Sequence, residues 1–263
     1  MDGYGRDLAY VHDRGFSSFS ESAAPWLLGW LSRRVPQGGL VVELGCGSGR
    51  LARRLAEAGY EVLGIDRSGD TLSLARRNAP GARFRRGSLE TAPLPPCHAI
   101  LALGEVLNYR FGRPRPARSL LRLFLRMRAA LRPGGLLVFD LAGPGRVPGG
   151  RAEGSRLGRD WAVLFRSEED LARHTLTRRI TTFRRVGGAY RRSEEVHVLS
   201  LFREGEVLEA LAAAGFSARA LRGYGELRLG PGLRVFLALG PGGDPSSSTP
   251  RGKRRIRRRR RTR

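Results

Sequence analysis

The stretch Val41-Val42-Glu43-Leu44-Gly45-Cys46-Gly47-Ser48-Gly49 constrains this chain more than any other. An apolar run ends in an acid, crosses three glycines at alternate positions, and enters Arg50 to Ala58, where apolar residues recur at helical spacing before Gly59. The pattern predicts a strand, a tight turn and a helix. Glycines in such a turn let the backbone approach a ligand closely, and the free N–H groups of the helix start favour an anionic group there. A second apolar run, Glu61 to Asp66, ends in another acid. It lies about twenty residues on, where a carboxylate can accept hydrogen bonds from both hydroxyls of a ribose.

The glycine spacing narrows the nucleotide. A dinucleotide turn reads G-x-G-x-x-G/A. Gly45 and Gly47 fit its first two positions, but the third falls on Arg50. The run is instead G-x-G-x-G, with Glu43 two residues ahead, which resembles the first motif of the class I S-adenosylmethionine-dependent methyltransferases, E/D-x-G-x-G-x-G. Leu131-Arg132-Pro133-Gly134-Gly135-Leu136, running on to Asp140, is similar to a later motif of that family and lies in the expected order. The resemblance covers about residues 38–142.

The resemblance implies S-adenosyl-L-methionine as cofactor. Its methionine part would lie against Gly45, Cys46, Gly47 and Gly49, with Glu43 near the amino end. Asp66, followed by Arg67, would hold the ribose, Ser88 and Leu89 would border the adenine, and Gly104 completes the expected cofactor set. An ammonium and a sulfonium suit an acid beside an amide-rich turn better than a pyrophosphate does. At Ser88 the family commonly carries an acid, and the backbone N–H of Leu89 can serve the same contact.

Strand and helix patterns go on alternating. A helix is predicted over 70–78 with Asp70 as its cap, then strands over 82–86 and 99–103 and a helix over 118–131, which Pro133-Gly134-Gly135 ends. Strands over 161–165, 175–185 and 190–201, with Gly187-Gly188 between the last two, read as an antiparallel insertion. A helix over 204–214 and strands over 216–221 and 233–239 close the fold. The expected architecture is α/β: a Rossmann-like doubly wound sheet, mostly parallel with an antiparallel last strand, plus an inserted antiparallel β lid. The expected divisions are a helical cap over 1–37, the cofactor-binding core over 38–142, the lid over 143–202, the rest of the sheet over 203–240, and a basic tail over 241–263. In the cap, Trp26, Leu27, Trp30 and Leu31 make an apolar helical face, and Pro25 is expected only in a first turn.

Ligands of open parallel sheets gather at the carboxyl ends of the strands, so Glu105, Asn108 and Tyr109 after the fourth strand are acceptor-site candidates. Leu8 to Asp13, taken with Gly104 to Tyr109, is similar to bacterial small-molecule methyltransferases whose N-terminal helix closes the site. That likeness places Tyr10 and His12 at the cofactor or acceptor. Glu105, Tyr109 and His12 are the candidate bases; Trp161, Arg166 and His197 are the candidate lid contacts. Asn108-Tyr109-Arg110-Phe111 lacks the double proline of enzymes that methylate exocyclic amines of flipped bases.

The net charge is +24, yet of 48 basic residues only Lys253 is lysine, which points to a composition bias along the whole chain. Residues 251–263 hold ten basic residues and no acid; without them 38 basic residues face 24 acids, a net +14. This tail can contact polyanions weakly and with a salt dependence. Cys46 and Cys97 form neither a disulfide framework nor a metal site. The first residues lack an apolar leader, and no apolar run reaches membrane-spanning length, so a cytoplasmic setting is expected. The expected activity is methyl transfer to a nitrogen, oxygen or carbon of a small molecule. The alternatives are an RNA methyltransferase guided by the tail and a catalytically silent cofactor-binding protein.

Overall fold

The structure is a computed structural model that describes residues 4–110 and 118–242. Two helices come first, α1 (Arg6–Gly15) and α2 (Ser18–Arg34). The core then alternates through β1 (Leu40–Leu44), α3 (Arg50–Glu57), β2 (Glu61–Asp66), α4 (Gly69–Asn78), β3 (Arg83–Arg86), β4 (Cys97–Ala102), α5 (Arg118–Ala130) and β5 (Leu131–Ala142). An antiparallel sheet follows, made of β6 (Arg151–Leu157), β7 (Trp161–Asp170), β8 (Thr175–Val186) and β9 (Ala189–Ser200) in that order. The chain returns through α6 (Glu204–Ala213), β10 (Ser217–Leu221), the small hairpin β11 (Gly223–Tyr224) and β12 (Leu227–Arg228), and β13 (Leu233–Leu239).

The main sheet has the order β10-β13-β5-β4-β1-β2-β3. β1 to β5 run parallel, and β13 is antiparallel to both β5 and β10. Near-continuous apolar runs such as Leu136 to Phe139 belong to strands covered on both faces. One face packs Ile100, Leu137, Phe139 and Phe236 beneath Phe124, Met127 and Leu211. The other packs Val41, Leu101, Val138 and Leu237 against Leu27, Trp30, Leu31, Leu51 and Leu55. The chain leaves β1 towards β2 and β3 on one side and resumes with β4 on the other. The crevice between the ends of β1 and β4 is therefore the switch point where such sheets bind ligands.

Several local features differ from the sequence expectation. The cap of α4 is Ser68, whose hydroxyl accepts the Thr71 N–H (3.2 Å), so the helix starts at Gly69 and Asp70 lies inside it. α2 runs straight through Pro25. The missing N–H removes one helical bond, but Ala23, Ala24, Leu27, Trp30 and Leu31 are buried on either side and hold the helix. Residues 131–135 are strand rather than a bare turn, with a register shift against β4 between Cys97 and Ala99. β6 carries no alternating pattern; it is an exposed edge strand that backbone pairing to β7 alone defines. The basic tail and Phe111 lie outside the described residues.

Candidate active site

The glycine loop lies across the switch point and is pinned from below. The N–H groups of Gly45 and Cys46 both donate to the Ile65 carbonyl at the end of β2 (2.7 and 3.2 Å). A Cβ on Gly45 would meet Val106 Cγ1 at 2.4 Å, so this residue is packed against the turn that follows β4. Gly47 is different: its φ is +52°, and a Cβ there would meet nothing within 4 Å. Gly104, across the crevice at the end of β4, has φ +84° and is equally open. Gly49, at φ +76°, is closed off by Ala75 and Phe84. Cys46 turns its thiol back against Gly64, so only its backbone is available, and burial holds the thiol pKa well above its ordinary value.

Two carboxylates flank the loop. Asp66 accepts the Gly47 N–H on Oδ2 (2.9 Å), and the Ser68 N–H (2.8 Å) and Thr71 hydroxyl (3.1 Å) on Oδ1. Burial raises its pKa, against those hydrogen bonds. Glu43 is buried beneath the loop, and its Oε2 has no partner. Burial first, and the neighbouring Asp66 second, push its pKa up to about 8. An unpartnered buried carboxyl oxygen under an open, amide-lined turn fits a ligand with a cationic end. The Asp66 carboxylate at the next strand end fits a diol.

Asp140 organises the far side of the crevice. Its carboxylate accepts the N–H of Gly104 (2.8 Å) and Glu105 (2.6 Å) and the Tyr224 hydroxyl (2.6 Å). Burial pushes its pKa up to about 6. Glu105 takes a left-handed φ of +61° there, and its carboxylate reaches Arg146 (2.5 Å) and Arg178 (3.3 Å). Burial raises the Glu105 pKa, but the Arg178 and Arg146 guanidiniums outweigh it and the net shift is downward. Asn108 is fully buried: its amide donates to the carbonyls of Ala142 (2.8 Å) and Ser200 (2.6 Å) and accepts the Ala142 N–H (2.9 Å). It ties the core strand β5 to the antiparallel sheet. An acceptor-facing role for it is replaced by that clamp.

α1 lies between the core and the inner face of the antiparallel sheet. On the core side, Asp13 takes two hydrogen bonds from Arg50 (2.8 and 3.0 Å) and one from Asn78 (3.1 Å). On the sheet side, Asp7 pairs with Arg191 and Arg184. Glu195 accepts the N–H groups of Tyr4 and Gly5, both at 2.8 Å, and pairs with His197 Nε2 at 2.8 Å. His12 faces inward. The residue as a whole is exposed, but its ring lies among protein groups, 5.2 Å from the Tyr4 ring and 5.8 Å from the Phe16 ring. Desolvation by that protein mass lowers its pKa to about 4, so the ring is neutral. The Tyr4 and Tyr109 hydroxyls are 3.1 Å apart, and the His197 ring lies 5.2 Å from Tyr4 and 5.5 Å from Tyr109. Burial raises the pKa of both tyrosines.

The structure thus gathers His12, Tyr109, Glu105 and His197 at one end of the crevice, and it adds Tyr4, Arg146, Arg178 and Glu195. Tyr10 is not among them. Residues two apart on a helix point to nearly opposite sides, and Tyr10 points to the sheet, donating to Asp160 (2.7 Å) beneath the Arg184 guanidinium. Trp161 is buried against Gly15 and Leu8 and fastens the sheet to α1. Arg166 is exposed on the outer face and paired with Glu153. Ser88 and Leu89 stand in the turn after β3, where the Ser88 hydroxyl accepts the Glu90 N–H (3.2 Å); Arg67 presents its carbonyl to Arg86 (3.1 Å). One signal for Arg178 was in the sequence: it alternates with Leu176 and Ile180 on the inward side of a strand.

The sequence pattern of a family described as methyltransferase domain matches residues 41–135. The putative methyltransferase YqeM of Bacillus subtilis (strain 168) is 26% identical over 198 residues, which are 71% of this chain and 77% of that protein. The chain carries that methyltransferase domain over residues 41–135, and this relative is named a methyltransferase. A solved S-adenosylmethionine-dependent methyltransferase from Clostridium acetobutylicum ATCC 824 superposes with a TM-score of 0.75 at 15% identity, over 89% of this chain and 98% of that one. The S-adenosylmethionine-bound structure of CalS10, described as an amino pentose methyltransferase from Micromonospora echinaspora, gives 0.68 at 22% identity, over 90% and 97%. These likenesses give this methyltransferase its fold. No helix among the described residues is long and apolar enough to cross a membrane.

Proposed function

We propose that this methyltransferase acts on a small molecule bound at the end of the crevice, between α1, the turn after β4 and the inner face of the antiparallel sheet. The observation that carries this reading is the roofing of the β4 end. α1 and the sheet cover it from two sides, and hydrogen-bonded ion pairs fasten α1 to the core through Asp13 and to the sheet through Asp7. The resulting space is suited to a compact acceptor rather than a duplex or a folded partner. CalS10, one of the proteins of the same fold, is described as acting on an amino pentose, which agrees in scale.

In this reading Gly45 to Gly49 carries the methionine part and Glu43 favours its cationic end. Asp66, with Arg67 beside it, takes the ribose, and Ser88 with the Leu89 N–H borders the adenine. Gly104 leaves room on the opposite wall. Held there, the cofactor would supply an electrophilic methyl for transfer to the acceptor's lone pair, its sulfur leaving with the bonding electrons. The protein's part is alignment and exclusion of water. Where the acceptor arrives protonated, a base is needed. Of the three candidates, His12 is the one both neutral and exposed within the crevice. Glu105 is committed to two arginines, and Tyr109 is held protonated by burial.

The test is transfer of labelled methyl from S-adenosylmethionine into a metabolite extract, with and without RNA. Label in a small molecule supports the reading. Label in RNA that disappears when residues 251–263 are deleted supports the polyanion-guided alternative, and no transfer despite cofactor binding supports a silent binder.

A further inference from the structure

Two guanidiniums meet one carboxylate at the acceptor end of the crevice. Among the described residues, Arg146 and Arg178 make their ion pairs with Glu105 alone. Arg178 also hydrogen-bonds Tyr109, yet each guanidinium has five N–H donors, and the Arg146 and Arg178 side chains keep 26% and 21% of their surface exposed. The neighbouring acids are engaged elsewhere. Glu169 accepts the N–H groups of Gly145 (2.7 Å) and Val147 (2.8 Å). Glu195 serves His197 and the backbone of Tyr4 and Gly5. Asp140 serves Gly104, Glu105 and Tyr224. Residues 111–117, next after Arg110 in the sequence, contain two arginines and no acid.

Neither arginine is a loose surface group. Glu169 holds the backbone on both sides of Arg146, and a Cβ on Gly232 would strike the Arg146 backbone at 2.6 Å. Arg178 stands on the inner face of β8 between buried Leu176 and Ile180, opposite His197 on β9. Both forks are thus fixed before any ligand arrives, with donors left over. Guanidinium forks held in this way match the paired oxygens of a carboxylate or phosphate.

The geometry points to an acceptor that carries an anionic oxygen group, a carboxylate or a phosphate, gripped by Arg178 and Arg146 while its nucleophile faces the crevice beside His12. This rests on the small-molecule methyltransferase reading and adds the acceptor's chemical class.

The full-length protein is first saturated with S-adenosylhomocysteine, then titrated calorimetrically with malonate, glycerol 3-phosphate and glycerol at constant ionic strength. At least one anion should bind, and glycerol should not; which anion binds separates carboxylate from phosphate. Arg178→Gln should weaken the anion at least tenfold and Arg178→Lys less, while Arg166→Gln on the outer face should have no effect. Retained S-adenosylhomocysteine binding shows that each variant is folded, and Arg146→Gln provides the same reading should Arg178→Gln not fold. Anions that bind no better than glycerol, or that bind equally well to the Arg178 and Arg146 variants, overturn the inference. Failure of the wild-type protein to bind S-adenosylhomocysteine would instead overturn the methyltransferase reading beneath it.

Discussion

The two walls of the crevice, proposed to hold cofactor and acceptor, are built by opposite means. The cofactor wall is backbone: three left-handed glycines, pinned amides and two acids, all within residues 43–66. The acceptor wall is side chains brought together from far apart in sequence: Glu195 with Tyr4, Arg191 with Asp7, Arg178 with Glu105. A backbone cradle tolerates few substitutions and binds one invariant ligand. A wall of side chains on a separate sheet can change its contacts without disturbing the cradle. Cofactor affinity and acceptor recognition should therefore fail independently.

The largest expected effect falls on the cradle. Gly47→Val places a branched side chain in the open crevice at a φ of +52°. It should lower S-adenosylhomocysteine affinity by more than about a hundredfold, roughly 3 kcal/mol, in calorimetry. Asp66→Ala should weaken it in the same assay, through the loop it holds as well as the ribose. On the other wall, Trp161→Ala removes the buried ring that fastens the sheet to α1. Thermal unfolding should show a loss of about 3 kcal/mol, while the cofactor still binds to the folded fraction. If Trp161→Ala abolished cofactor affinity as thoroughly as Gly47→Val, the two walls would not be separable.

A smaller loss, about 2 kcal/mol, is expected for Asn108→Ala, which takes one donor from the carbonyls of Ala142 and Ser200 and the side-chain acceptor from the Ala142 N–H. The gentlest effect is one of pH. Glu43 has its folded pKa raised to about 8, so the folded protein holds a proton there that the unfolded chain loses at lower pH. Its favourable protonated state is present below the ordinary carboxyl range, and the associated stability falls as pH rises towards 8. A cationic cofactor favours the ionised form, so binding should release a proton. Affinity should then rise with pH between about 6 and 8, by at most about tenfold per unit. Calorimetry in buffers of different ionisation heat should detect the proton, and Glu43→Gln should remove both signals. An affinity flat across that range in the wild type would break the link between Glu43 and the cationic end.

The same contrast explains what the sequence disclosed. Strand, glycine loop, helix and acid are contiguous, so periodicity and spacing in the 41–66 stretch exposed the cradle, and the alternating pattern carried the parallel sheet with its antiparallel last strand. The antiparallel insertion was legible where β-branched alternation marked it, as in β8. It was not legible at β6, whose exposed residues carry no period. Arg178 was one of 48 basic residues and gained meaning only when Glu105, 73 positions away, met it. Tyr10 misled because a string of residues on one helix does not share one face.

In the proposed function the crevice between the ends of β1 and β4 holds the cofactor through residues 43–49 and 66. A crystal structure of the protein with S-adenosylhomocysteine tests it directly. The amino-acid end should lie over Gly45 to Gly49, the ribose hydroxyls on Asp66, and the sulfur facing the chamber of His12, Tyr4 and Tyr109. A ligand bound elsewhere, or its ribose turned away from Asp66, would contradict it.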